Sequence, residues 1–266
     1  MIALKKNKKR IKKSLYKLSD IHTLDLTKVD DIRNLPKEVL TDPTRMETEV
    51  LPQLGLNNEV VYEFPESLSP FFGKGLQYWQ YPNQFSKYLV HLSKYKIESY
   101  LEIGVRHGGT FIITLEYLNR FHKVNKAIGI DIVDNVSLPI YKEKYNKDID
   151  FLRIESQNVL FKRFVQEKNK DLDLVLIDGE NSYWGYRADF EIFKDKAHII
   201  AFNNISNYAC PEVNDLWLEL KDSLSNEFNF YEFTDQYKSL QDKGKYYLGI
   251  GVMVDKGFDF IRKGQS

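Results

Sequence analysis

The chain of 266 residues carries 38 Lys/Arg against 38 Asp/Glu, a formal net charge of zero, and 42% of its residues are hydrophobic. That length allows one substantial core, and the balanced charge gives no global signature of nucleic-acid binding. A single cysteine, Cys210, excludes an internal disulfide framework and fits a reducing cytoplasm; no apolar run reaches membrane-spanning length and no signal-peptide apolar region follows the basic start, so export is not expected.

The charge is unevenly placed. Residues 1–17 hold eight Lys/Arg and no acid, which leaves the remainder with 38 acids against 30 bases and disfavours a polyanion-binding role for the main surface. Leu4, Ile11, Leu15 and Leu18 fall roughly on one helical face of that basic stretch. It reads either as a peripheral contact with an anionic membrane or as a frayed, solvated terminal segment. From 21 to 70 the chain is broken at Pro36, Pro43, Pro52, Pro65 and Pro70, with short apolar runs between. A basic segment and irregular cap over 1–72, wrapping a main domain over 73–266, is the expected division. Phe85, Leu89 and Leu92 continue an apolar face behind Pro82, predicting a helix with Asn83 as its N-cap.

The stretch 99–110, Ser-Tyr-Leu-Glu-Ile-Gly-Val-Arg-His-Gly-Gly-Thr, joins a buried strand to a glycine-rich turn, and Phe111, Ile112, Leu115 and Leu118 then take helical spacing. A dinucleotide fingerprint wants G-x-G-x-x-G, whereas here Glu102 sits two residues before Gly104, with Gly108 and Gly109 beyond. An acid inside the strand suits a ligand bearing an ammonium group rather than a pyrophosphate. A second apolar strand, 126–131, ends in Asp131, about where nucleotide-binding α/β folds place an acid on ribose hydroxyls; a strand-end turn or helix cap is the alternative. A third, 150–154, leads to Ser156 and Gln157, and Ser156 equally suits the cap of the helix that follows. The fourth, 173–178, is an unbroken apolar run of the kind found in central parallel strands. Its exit is Asp178-Gly-Glu-Asn-Ser-Tyr183. The fifth, 198–202, ends in Asn203-Asn204. A helix from Pro211 and two late strands, 228–233 and 246–254, complete a doubly wound, seven-stranded, mostly parallel α/β sheet with its crevice at the carboxyl ends of the first, second and fourth strands.

Glu-Ile-Gly-Val-x-x-Gly-Gly-Thr and Asp-Gly-Glu-Asn-Ser-Tyr-x-Gly-Tyr-Arg-Ala-Asp together resemble the class I S-adenosylmethionine-dependent methyltransferases, a Rossmann-like family. The likeness over 79–254 is closest to the branch that groups cephalosporin-hydroxylase-like proteins with small-molecule and sugar O-methyltransferases. It implies S-adenosylmethionine held by Glu102, Gly104, Gly108, Gly109, Asp131 and Asp178, with Ser156 and Gln157 toward the adenine. It also implies Trp79, Gln80, Tyr81 and Gln84 around a small polar metabolite or glycan, although these aromatics equally suit a staple between cap and core. Candidates for the catalytic base are His107, or a water held by Asp178 or Tyr183; His107 in its turn could instead bond backbone or face solvent. Two departures stand out: Asn181 replaces the family's histidine, and Asn203-Asn204 replace its acidic pair. With Asp178 the one anion left, a tight magnesium site is not expected. The same changes leave open a protein that binds the cofactor without turning over. The sequence leaves a homo-oligomer open as well.

Overall fold

The computed structural model describes residues 23–59, 61–168 and 171–258. The basic stretch 1–18, with the membrane contact expected of it, lies outside the described residues. Seven strands form one sheet: β1 Ser99–Ile103, β2 Lys126–Asp131, β3 Ile149–Arg153, β4 Leu172–Ile177, β5 Ala197–Phe202, β6 Phe228–Phe233 and β7 Ile250–Asp255. Their order is β3-β2-β1-β4-β5-β7-β6, with β7 antiparallel to both neighbours and all other pairs parallel. The doubly wound, mostly parallel α/β sheet expected from the sequence is therefore the fold.

Side chains on successive strand residues point to opposite faces, and the two cores divide on that period. Tyr100, Leu174, Leu176, Ile199 and Ala201 pack under the helices α2 Pro82–Leu92 and α3 Gly109–Leu118. Leu101, Ile103, Val175, Ile177, Ile200 and Phe202 pack against the helices that follow β4 and β5. Both faces are covered, which is why β4 reads as a continuous apolar run. The helix α3 is buried along its whole length rather than on one face.

Pro82 opens α2 at its first position and Tyr81 is the N-cap, correcting the expectation for Asn83. A proline fits there because that N–H has no intrahelical partner to lose. The remaining crossovers are α4 Ser137–Tyr145, α5 Val159–Lys168, α6 Tyr183–Phe193 and α7 Pro211–Ser223. On α7, Val213, Leu216, Trp217 and Leu220 form the buried face.

The proline-broken segment forms short helical turns, the first of them α1 Lys28–Asn34, and its Val29, Ile32, Leu40, Leu51, Leu54 and Leu56 join the core around α2 and α3. Tyrosine hydroxyls stitch it down: the buried Tyr117 Oη donates to the Leu40 carbonyl at 2.7 Å, and the half-buried Tyr145 Oη to the Leu26 carbonyl at 2.7 Å. Among the described residues no helix is long and apolar enough to cross a membrane.

Candidate active site

The parallel register aligns Ile103 with Ile130 and with Ile177, and Ile177 with Phe202. The first loop residues continue the ladder: Gly104 N–H donates to the Ile130 carbonyl at 2.8 Å, Asp178 N–H to Ile103 at 2.9 Å and Asn203 N–H to Ile177 at 3.0 Å. Four exit loops thus start in one row at the point where strand order reverses, and the chain crosses from β1 outward to β2 on one side and β4 on the other. A cavity of about 770 Å3 opens there, a size suited to a small ligand.

Glu102, Asp131 and Asp178 all line this cavity. The Glu102 side chain is fully buried within β1. Burial, reinforced by the charges of Asp178 and Asp131, holds its carboxyl well above the usual carboxylate range, against a short hydrogen bond from Tyr100 Oη. Burial likewise pushes the Asp178 carboxyl up to about 7, against a hydrogen bond from the Asn203 amide and with the Asp131 charge adding to the rise. Asp131 accepts backbone hydrogen bonds from Arg106 at 2.7 Å and Val133 at 2.9 Å, which fix its carboxylate at the end of β2. Three acids converging on one enclosed space repel each other, and a cationic ligand would relieve that repulsion.

The turn glycines serve the chain's own packing. Gly104 has φ +87°, and a Cβ there would stand 1.9 Å from the Asp178 carbonyl oxygen, so this glycine lets two exit loops touch. A Cβ on Gly109 would stand 2.0 Å from the Leu76 carbonyl oxygen, so the start of α3 presses directly on the segment before α2. Gly104 and Gly109 also line the cavity, whereas Gly108 backs onto Leu138 and Asn135. Close approach of backbone to ligand, expected at all three, gives way at Gly108 to close approach of backbone to protein.

Ser156, Gln157 and Trp79 line the cavity. Gln80, Tyr81 and Gln84 do not; they are buried, and at Tyr81 and Gln84 structural contacts take the place of the substrate contacts expected. Tyr81 Oη donates to the Glu63 carbonyl, while Gln84 donates to the Asp235 carbonyl at 2.8 Å and accepts from Gly249 N–H at 2.9 Å. For Gln84 the reason is geometric: behind Pro82 the chain is already helical, and α2 turns it into the core. Tyr183 also lies away from the cavity, its hydroxyl donating to Glu219 Oε2 at 2.5 Å between α6 and α7, which corrects the catalytic part considered for it.

His107 does line the cavity, with its Nε2 in a short hydrogen bond to Glu59, and Arg106 Nη2 meets the other oxygen of Glu59 at 2.8 Å. The His107 hydrogen bond, aided by Arg106, holds the Glu59 carboxyl down at about 2. Sequence reasoning missed Glu59, and it missed Asn57, Glu63 and Gln77, which also line the cavity. Asn57, Glu59 and Glu63 come from the proline-broken segment, where no periodicity separates a site residue from a solvated one; Gln77 lies just beyond it, and its nearness to Trp79 was the one available signal.

A hard divalent ion fits this set poorly. Beside Asp178 stand amides that bond to one another, with Asn204 Nδ2 donating to Asn181 Oδ1 at 2.8 Å and Asn207 Nδ2 to Asn204 Oδ1 at 3.0 Å. Among the described residues no group of three or more His, Cys, Asp or Glu could hold a metal.

Residues 101–199 match the family model described as a methyltransferase domain. The matched stretch runs from β1 into β5. Solved structures to which the chain is similar include the methyltransferase domain of bacterial CtHen1, at 10% identity and a TM-score of 0.46 over 65% of this chain and 96% of that one. An O-methyltransferase from Bacillus cereus in complex with S-adenosylhomocysteine aligns at 13% identity and a TM-score of 0.45, over 88% of this chain and 98% of that one. A Burkholderia thailandensis 1,6-didemethyltoxoflavin-N1-methyltransferase aligns at 12% identity and a TM-score of 0.42, over 65% and 76%. No curated protein matches the chain.

Proposed function

We propose that the protein transfers the methyl group of S-adenosylmethionine to a hydroxyl oxygen of a small polar metabolite or glycan. The observation that carries this reading is the convergence of Glu102, Asp131 and Asp178 on one cavity within the methyltransferase-domain stretch. When bound, S-adenosylmethionine supplies an electrophilic methyl on a sulfonium, together with an ammonium group and ribose hydroxyls. Glu102 and Asp178 offer buried negative charge to cationic groups, Asp131 offers oxygens to hydroxyls, and Ser156 and Gln157 offer short polar groups at the edge beyond β3. Asp178, poised near neutrality, takes the proton of the acceptor hydroxyl. His107, tied to Glu59, shapes the same cavity from the β1 loop. Holding acceptor and donor in line supplies much of the rate, so no metal is required.

Calorimetry with S-adenosylhomocysteine tests the binding half. The wild-type protein binds it, and Asp131→Ala weakens binding about tenfold or more, because a charge-assisted hydrogen bond is worth roughly 1.5–3 kcal/mol. Unchanged affinity in Asp131→Ala removes Asp131 from the ribose. Tight binding with no turnover on any acceptor favours the binding-only alternative, for which the Asn181, Asn203 and Asn204 amides are the chemical reason.

A further inference from the structure

The walls of the cavity describe the acceptor more closely than the fold does. Six of its lining side chains are acids, Glu63, Glu102, Asp131, Glu155, Asp178 and Glu180, while Arg106 and His107, the basic side chains in its lining, are both bonded to Glu59. A phosphate or carboxylate entering here would meet like charge, and Arg106 and His107 already have an acidic partner. Glu63 from the proline-broken segment, and Gln77 and Trp79 from the stretch before α2, share the lining of this cavity with Asp178 and Asn203. Cys210 lines it too: burial, and then the charges of Asp178 and Glu63, push its thiol up to about 11.

This lining is rich in hydrogen-bond acceptors. Asn203 is 2% exposed, its amide nitrogen is used by Asp178, and its Oδ1 has no partner among the described residues. Gln77 is 8% exposed, and its Oε1 is likewise unpartnered. Burial holds the Glu63 carboxyl above its usual range, against a hydrogen bond from the Trp79 indole, so it too gains from a donor. Unmet buried acceptors are costly, and a ligand that brings several hydroxyl donors satisfies them together. An apolar substrate would leave them unmet.

We infer that the acceptor is an uncharged, polyhydroxylated molecule such as a free sugar or glycoside, bound through its hydroxyls to Gln77, Asn203 and Glu63 beside Trp79, and that phosphorylated or carboxylated sugars are rejected. The inference rests on the methyl-transfer reading and narrows it, since sugar phosphates and sugar nucleotides are thereby ruled out as acceptors. Binding of S-adenosylhomocysteine, read by calorimetry, tests the underlying reading alone.

The inference itself is tested with a panel of neutral sugars and methyl glycosides, each paired with its phosphate and its uronic acid, using S-adenosylmethionine labelled in the methyl group. Neutral members accept label at least tenfold faster than their charged partners. Gln77→Met raises the acceptor KM tenfold or more while affinity for S-adenosylhomocysteine, which also reports a folded protein, is kept. Glu63→Gln, nearly isosteric, narrows the gap between neutral and phosphorylated sugars. Faster transfer to the charged members overturns the inference, as does a panel with no neutral acceptor in a protein that binds S-adenosylhomocysteine. An acceptor KM within twofold of wild type in Gln77→Met, or an unchanged gap in Glu63→Gln, also overturns it.

Discussion

An Asp178 carboxyl pushed up to about 7 by burial is half ionised at neutral pH and so can both take and release a proton. Its neighbour Glu102 is held high by the same burial and feels the charge of Asp178, so the pair titrates as one system. The kcat/KM for S-adenosylmethionine should therefore rise with pH through about 7 and level off above. Asp178→Asn should lower it by about a hundredfold or more and abolish that limb, whereas His107→Gln, which loses a ring already engaged by Glu59, should cost only a few fold. A pH–rate profile of the two variants decides; an intact limb in Asp178→Asn moves the proton to another group. The three cavity acids were legible in the sequence because each ends, or interrupts near its end, an apolar strand whose direction fixes where it emerges. Gln84 misled because the pitch of a helix entered at Pro82, not its proximity to a strand, decides which way it faces, whereas Gln80 and Tyr81, just before that helix, are buried by the protein around them.

Contacts between elements are set at the start of α3, where backbone rather than side chain does the packing. Alanine at Gly109 would place a methyl 2.0 Å from the Leu76 carbonyl, and no rotamer change moves a carbonyl oxygen. Gly109→Ala should destabilise the protein by about 1–3 kcal/mol or more, by the cost of overpacking, with a matching fall in the urea midpoint. A loss below about 0.5 kcal/mol would mean that α3 slides away from the 76–78 segment freely. The doubly wound, mostly parallel sheet was readable from alternating strand and helix patterns, and the pairing of β6 with β7 from two late strands with no helix of crossover length between them; the place of β7 between β5 and β6 was not. The cap was readable only as an absence of pattern. Its fit depends on isolated long-range bonds, such as Leu24 N–H to Ser137 Oγ at 3.1 Å, that leave no local trace in the chain.

The molecule as a whole places opposing acid–base shifts around one cavity, and their sum sets how its stability responds to pH. The folded Glu59 carboxyl titrates near 2 rather than the usual 4.5, so its contribution is present above about 4.5 and is lost as pH falls toward 2. Asp178 has the opposite sign. Between its ordinary value of 3.8 and about 7 the folded state holds a proton that the unfolded state has released, so stability falls as pH rises across that window and is flat beyond it. Glu102 shifts the same way. The unliganded protein should accordingly be most stable near pH 4–5 with respect to these groups and weaker at pH 8, and Asp178→Asn should flatten the decline. A ligand with an ammonium group prefers the ionised carboxylates, so S-adenosylhomocysteine should bind more tightly at pH 8 than at pH 5.5. Each tenfold gain in affinity adds about 1.4 kcal/mol to the liganded protein at saturating concentration, which for a domain of this size raises Tm by about 2–4 °C per kcal/mol. Thermal denaturation at the two pH values, with and without S-adenosylhomocysteine, checks this. A ligand-induced rise in Tm that is equal at both, or larger at pH 5.5, would show that the buried acids do not hold the ammonium group, whatever else the cavity binds.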